Sequence, residues 1–150
     1  MIRPPSGKSP DGNRSRRLLP RLLLDTHVLI RWLLEARKLS RPQLQALESA
    51  VRRGEPVALS AVSLLEIAFL ASGDKPALKV RLEEFFQDLN SNPTFRLFPL
   101  TYEVALEAAS MGSLRDPADR AIAATARVHR LRLVTSDQRI IESKLVPVVE

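Results

Sequence analysis

No cysteine occurs in the chain, so neither a disulfide framework nor a thiolate metal site can form. A reducing compartment, the cytoplasm, is the expectation that follows. Only five glycines are present, and they build no glycine-rich phosphate loop and no dinucleotide fingerprint. No apolar run approaches the roughly 20 residues of a membrane-spanning helix. The N-terminus is basic but is followed by no long apolar stretch, which argues against a secretory signal. No internal repeat is visible.

What is present is material for one domain: 150 residues, 45% of them hydrophobic. The formal charge of +6 is unevenly spread. Arg3, Lys8, Arg14, Arg16, Arg17 and Arg21 face a single acid, Asp11, before residue 22. The rest of the chain is therefore nearly neutral. Residues 1–17 combine this charge with Pro4, Pro5, Gly7, Pro10 and Gly12 and almost nothing apolar. They are expected to form a disordered leader, with residues 18–150 as the folded domain. Such a tail either adds sequence-blind affinity for nucleic acid or is a plain extension.

The chain is organised around Leu22-Leu23-Leu24-Asp25-Thr26-His27. An aliphatic run without polar alternation predicts a strand buried on both faces, here Leu18–Leu24. It ends in a carboxylate. A short helix is expected over Val28–Ala36, with Leu29, Trp32 and Leu33 along one face as core or partner surface. Ser40, Pro42 and Gln43 read as a cap, a first-turn proline and a capping box, opening a helix that stops at Gly54. Pro56–Leu59 is a second strand and Ser60–Ala71 a helix. Another helix is expected over Ala77–Leu89 and a third strand over Phe95–Phe98. A helix opens at Thr101, and an alanine-rich one opens at Asp116-Pro117. Leu131–Thr135 and Val146–Val149 complete the strands. Strands alternating with helices predict an α/β fold with a parallel sheet and right-handed crossovers.

Five acids fall at strand ends or helix starts: Asp25, Glu66, Asp116, Asp119 and Asp137. Each has a local explanation. Asp25 and Asp116 are favoured helix caps, and Asp119 suits a first helical turn. Ser63 to Glu66 matches a capping box, and Asp137 suits a turn cap. Together they suggest more. Several carboxylates at one sheet edge, with no cationic side chain among them, repel one another unless a cation intervenes. Oxygen ligands without His or Cys suit Mg²⁺ or Mn²⁺.

Four ordered blocks carry a resemblance. They are Leu23-Leu24-Asp25-Thr26-His27-Val28-Leu29, Ser60 to Ala68, Arg115 to Ala124, and Leu133-Val134-Thr135-Ser136-Asp137. In this order and spacing the chain resembles the PIN-domain ribonucleases, most of all the VapC-type toxins of toxin–antitoxin pairs. The resemblance covers about residues 20–150. It implies a three-layer α/β/α domain whose central parallel five-stranded sheet has the order 3-2-1-4-5. It implies catalytic and metal-binding roles for Asp25, Glu66, Asp119 and Asp137, with Asp116 as a further candidate ligand. Thr26, Ser60 and Thr135 stand where small hydroxyl residues support such sites. Ala118 and Leu65 depart from the family, which often carries an aromatic and a tryptophan there. His27, beside Asp25, is placed to touch substrate or act in proton transfer, although the family's chemistry does not need it, and His129 reads as a surface helix residue.

The implied activity is a Mg²⁺- or Mn²⁺-dependent endoribonuclease acting as the toxin of a type II toxin–antitoxin pair. The implied partners are RNA, a VapB-type antitoxin and a second copy of the chain in a homodimer. Two other classes remain open at this level. One is an RNA-processing PIN nuclease without an antitoxin. The other is an inert binding module of the same fold.

Overall fold

A computed structural model describes residues 18–150, so the expected leader, residues 1–17, lies outside the described residues. The triple leucine forms β1 (Leu22–Leu24). Leu22 and Leu24 enter one apolar cluster and Leu23 enters another. Both faces of the strand are thus covered, which is why the run carries no polar alternation. The next strand, β2 (Val57–Ser60), divides the same way: Val57 and Leu59 to one cluster, Ala58 to the other. The edges and flank are β3 (Phe95–Phe98), β4 (Arg132–Val134) and β5 (Val148–Val149).

The five strands run in the order β3-β2-β1-β4-β5, every pairing parallel. Leu24 pairs with Leu59 on one side and Val134 on the other. The carboxyl ends of the three central strands are therefore level. The order reverses between β1 and β4, and a ligand crevice in such sheets opens at that point.

Among the described residues seven α-helices cover the sheet. They are α1 (Thr26–Leu34), α2 (Arg41–Arg52), α3 (Ala61–Leu70), α4 (Leu82–Ser91), α5 (Tyr102–Ala109), α6 (Pro117–Val128) and α7 (Gln138–Ser143). Leu29, Leu47, Ile67 and Phe85 bring α1 to α4 onto one cluster. Val104, Ile122, Ala123 and Ile140 bring α5 to α7 onto the other. The alanines of α6 are the reason it lies close: Ala121, Ala123, Ala124 and Ala126 are all buried. Among the described residues no helix is long and apolar enough to cross a membrane.

Local signals placed the caps well. Ser40 and Gln43 form the reciprocal capping box of α2, and Gly54 takes φ +66° just beyond that helix. Boundaries moved where tertiary contacts intervened. The first strand begins at Leu22 rather than Leu18, because Pro20 has no N–H to give a ladder. The helix expected from Ala77 begins at Leu82. Before it, buried Leu78 donates its N–H to Leu70 O and holds the chain against the end of α3. The short α7 and a 3-10 turn at Ala36–Lys38 were not anticipated.

Candidate active site

Asp25 leaves β1 with its backbone still on the ladder, donating its N–H to Val134 O at 3.0 Å. Its Oδ1 accepts the Thr26 N–H at 2.8 Å and so caps α1. Its Oδ2 accepts the Thr135 hydroxyl at 2.7 Å. The carboxylate is only 4% exposed. The cap and the position at the crevice mouth are thus one arrangement: capping fixes the carboxylate there.

His27 closes the same loop. Its Nε2 accepts the Ser136 N–H at 3.0 Å, and its Nδ1 stands 3.4 Å from Asp25 Oδ2. An imidazole that accepts at Nε2 is neutral, with its proton on Nδ1 facing the carboxylate. Burial lowers the His27 pKa and outweighs the opposing pull of Asp25. His129 is remote from this chemistry: it ends α6, exposed, with its ring edge-on to Phe98 at 4.5 Å.

Glu66 does not complete a capping box. The helix begins earlier, at Ala61, with Ser60 Oγ accepting the Val62 N–H at 3.1 Å. Ser63 and Glu66 therefore sit inside α3, three residues apart on one face. Thr26 Oγ1 donates to Glu66 Oε1 at 2.5 Å and lies 2.8 Å from Ser63 Oγ. A hydroxyl has one hydrogen, so Ser63 donates to Thr26 in turn. This chain ties α3 to the start of α1. Burial raises the Glu66 pKa, and the charges of Asp25 and Asp116 add to the rise against the Thr26 hydrogen bond. Ser60 caps its helix, and this is the contact its hydroxyl makes.

Asp116 is the N-cap of α6, accepting the Ala118 N–H at 2.9 Å, and is exposed. Asp119, one turn in, is buried. Its pKa is pushed up to about 7, first by burial and then by Asp116, Asp137 and Asp25; Arg139 opposes weakly. The coupling to three other acids places Asp119 within their common field.

Asp137 caps α7, accepting the Arg139 N–H at 2.9 Å. The same arginine turns its side chain back. Its Nη2 lies 3.3 Å from Asp137 Oδ2 and 3.9 Å from Asp119 Oδ2. The expectation that no cationic side chain stands among the acids is therefore corrected. A residue two positions beyond Asp137 folds over it because both lie in the first turn of α7. Burial pushes the Asp137 pKa up, but the bonds and charge of Arg139 bring it below its ordinary value.

Thr135 links the parts. Fully buried, it donates to Asp25 and accepts the Asp137 N–H at 3.0 Å. Gln43 supports it from α2, donating from Nε2 to Thr135 O at 3.2 Å and to Ser136 Oγ at 2.9 Å. Gln43, Ser63, Ser136 and Arg139 were missed from sequence. Only Ser63 carried a signal, its helical spacing to Glu66. Among the described residues no three acidic or imidazole side chains are gathered as a ready-made ion cage.

Of the expected apolar stripe, Leu29 belongs to the core, and Trp32 and Leu33 are half-buried against it. Leu29 is fully buried, and Trp32 and Leu33 pack on the same cluster, Trp32 edge-on to Phe95 at 5.8 Å. Ala118 is half-buried and Leu65 exposed. Leu65 adjoins Phe69 and Leu70 on α3, all solvent-facing.

Comparison with known proteins agrees with this geometry. The PIN domain family model matches residues 22–144. The chain is 37% identical over 121 residues to Ribonuclease VapC22 of Mycobacterium tuberculosis, covering 79% of this chain and 88% of that protein. It resembles FitAcB from Neisseria gonorrhoeae with a TM-score of 0.58 at 26% identity, covering 86% of this chain and 96% of that one. VapBC2 from Rickettsia felis, bound to a promoter DNA fragment, shares the fold alone, with a TM-score of 0.64 at 12% identity over 87% and 97% of the two chains. The sheet order and these matches agree: the chain belongs to the PIN domain family, among its VapC-type members.

Proposed function

We propose that this protein is a divalent-metal-dependent endoribonuclease and the toxin of a type II toxin–antitoxin pair. The observation that carries the reading is geometric: Asp25 and Asp137 stand beyond the ends of the neighbouring strands β1 and β4, linked through the Thr135 hydroxyl, with buried Asp119 sharing Arg139 with Asp137. Burial and the charges of Asp116, Asp137 and Asp25 raise the Asp119 pKa in keeping with this crowding. A cluster of that kind is costly for a fold to keep and is relieved by a cation.

The donor set fits a hard divalent ion. Asp25, Glu66, Asp119 and Asp137, with Asp116 at the rim, offer oxygen only, and no cysteine exists to compete. Bound Mg²⁺ or Mn²⁺ would supply an acidified water and neutralise charge on an RNA phosphodiester. The protein's own share is orientation. Thr135 and the Thr26 N–H hold Asp25 by both oxygens. The Thr26 hydroxyl aims Glu66, and Ser63 supports Thr26. His27 pins the loop between Thr135 and Asp137 through the Ser136 N–H. Asp25 and Glu66 are thereby fixed in direction before any ligand arrives, which lowers the cost of gathering the acids.

Partner binding is supported by two observations. Leu65 and Phe69 of α3, and Leu97, Leu100, Tyr102 and Leu106 near the β3 edge, leave large apolar groups in solvent. The structural relatives include toxin–antitoxin complexes, one of them from Klebsiella pneumoniae. A VapB-type antitoxin and a second copy of the chain are the proposed occupants, in the cytoplasm.

The test is cleavage of a purified RNA pool with Mg²⁺, with Mn²⁺ and with chelator. Cleavage that requires the ion and is lost in Asp25→Asn and Asp119→Asn is expected. Equal cleavage in chelator would exclude the metal. Absence of cleavage under every condition would favour a binding module.

A further inference from the structure

Arg139 is the one Lys or Arg among the described residues that pairs with any of the five acids. Its Nε and Nη2 address the two oxygens of Asp137 at 3.4 and 3.3 Å, and Nη2 reaches toward Asp119 at 3.9 Å. Its side chain is 75% exposed, while those of Asp119 and Asp137 are 13% and 18% exposed. A guanidinium so exposed, with one long contact, is a weak counterion. A divalent ion carries twice the charge and needs the same oxygens.

We propose that Arg139 exchanges partners: it neutralises Asp119 and Asp137 in the metal-free protein and contacts the RNA phosphate in the loaded one. The inference rests on the nuclease reading above. When an ion engages the two carboxylates, the guanidinium loses its acceptors. It remains tethered at the rim by the first turn of α7, a flexible side chain in solvent. Its planar fork of N–H donors matches phosphate oxygens in a bidentate fashion. The first role opposes metal binding and the second favours substrate binding, so one substitution separates them.

The experiment uses the full chain and the variants Arg139→Gln, Arg139→Lys and Lys75→Gln, the last removing an exposed charge in the α3–α4 connection. Mn²⁺ alone is titrated into each by calorimetry, and cleavage of one RNA oligomer is measured at saturating Mn²⁺. Circular dichroism checks that each variant is folded. Arg139→Gln is expected to bind Mn²⁺ about three- to fivefold more tightly, the range for losing a partly exposed ion pair. Its KM for RNA is expected to rise about tenfold, with a smaller change in kcat, as loss of substrate binding requires. Arg139→Lys is expected to restore the wild-type Mn²⁺ affinity but not the KM, because an ammonium lacks the fork. Lys75→Gln should change neither.

Unchanged or weaker Mn²⁺ binding by Arg139→Gln, or an unchanged KM, overturns the exchange while leaving the nuclease reading intact. A wild-type protein that binds no Mn²⁺ or cuts no RNA overturns both.

Discussion

Thr135 and Asp25, 110 residues apart, are joined by a buried hydrogen bond of 2.7 Å from the threonine hydroxyl to Oδ2. It spans the β1–β4 boundary at the point where the strand order reverses. The same hydroxyl accepts the Asp137 N–H at 3.0 Å. One oxygen thus sets the direction of the first acid and the backbone of the last.

Replacing Thr135 by valine keeps the shape and removes both bonds. The buried Asp25 oxygen and the Asp137 N–H then lose their partner. The variant is expected to be less stable by about 2 kcal/mol, the scale of orphaned buried polar groups. Thr135→Ser should recover most of this. Chemical denaturation of the three proteins at one pH measures it, and equal stability of the valine variant would show that water replaces the hydroxyl.

Asp119 makes stability pH-dependent. Its folded pKa of about 7 lies above its ordinary 3.8, so the folded state holds the proton more tightly. The resulting stability is complete below about pH 4 and is lost as pH rises toward 7. Asp119→Asn should remove that loss and be more stable than wild type in chelator at pH 8, by about 1 kcal/mol or more, one pKa unit's worth. It should also gain less from Mg²⁺, since that gain measures binding to the native state. If the carboxylate served the first helical turn alone, asparagine would destabilise modestly with or without the ion. Melting curves in chelator and in Mg²⁺ decide.

His27 acts in the opposite sense. Its folded pKa lies below 6.5, so its contribution is fully present above pH 6.5 and is lost as pH falls from there through the lowered folded pKa. Protonation places a hydrogen on Nε2, where the Ser136 N–H now donates. His27→Ala should cost about 1 kcal/mol at pH 8, one hydrogen bond's worth. It should also flatten the acid side of the profile. Comparing the stability profiles of His27→Ala and Asp119→Asn from pH 4 to 8 separates the two groups. A histidine variant with an unaltered acid limb would show that the imidazole is not the titrating group.

Trp32 is expected to behave as a core residue. Its ring packs on the first apolar cluster and against Phe95. Trp32→Ala should lower stability by about 2 to 3 kcal/mol, less than for a fully buried aromatic because the ring is half-buried. Dimer or antitoxin affinity, measured on the folded fraction, should change less. A variant that melts normally but no longer binds its partner would reassign the side chain to an interface.

The sequence alone carried the local physics. A leucine run with no polar alternation can only be covered on both faces, so β1 was legible as a central strand. Asp25, Ser40 and Asp116 were legible as caps because a cap depends on the next two or three residues. The order of the sheet came through the resemblance of ordered blocks, which also singled out the four acids as candidates. Contacts between distant segments were not legible. Gln43 reads as half of a capping box, yet its amide also holds Thr135 and Ser136, more than 90 residues away. Ser63 and Glu66 also matched a capping box, but both lie inside the helix that starts at Ala61, and only the fold brings Thr26 to them. Arg139 carried no signal in the sequence, and only the turn of α7 laid it across Asp137 and Asp119. Capping and strand burial are decided within a few residues of chain. The field that raises Asp119, and the cation that partly offsets it, exist only once four segments meet at the end of one sheet.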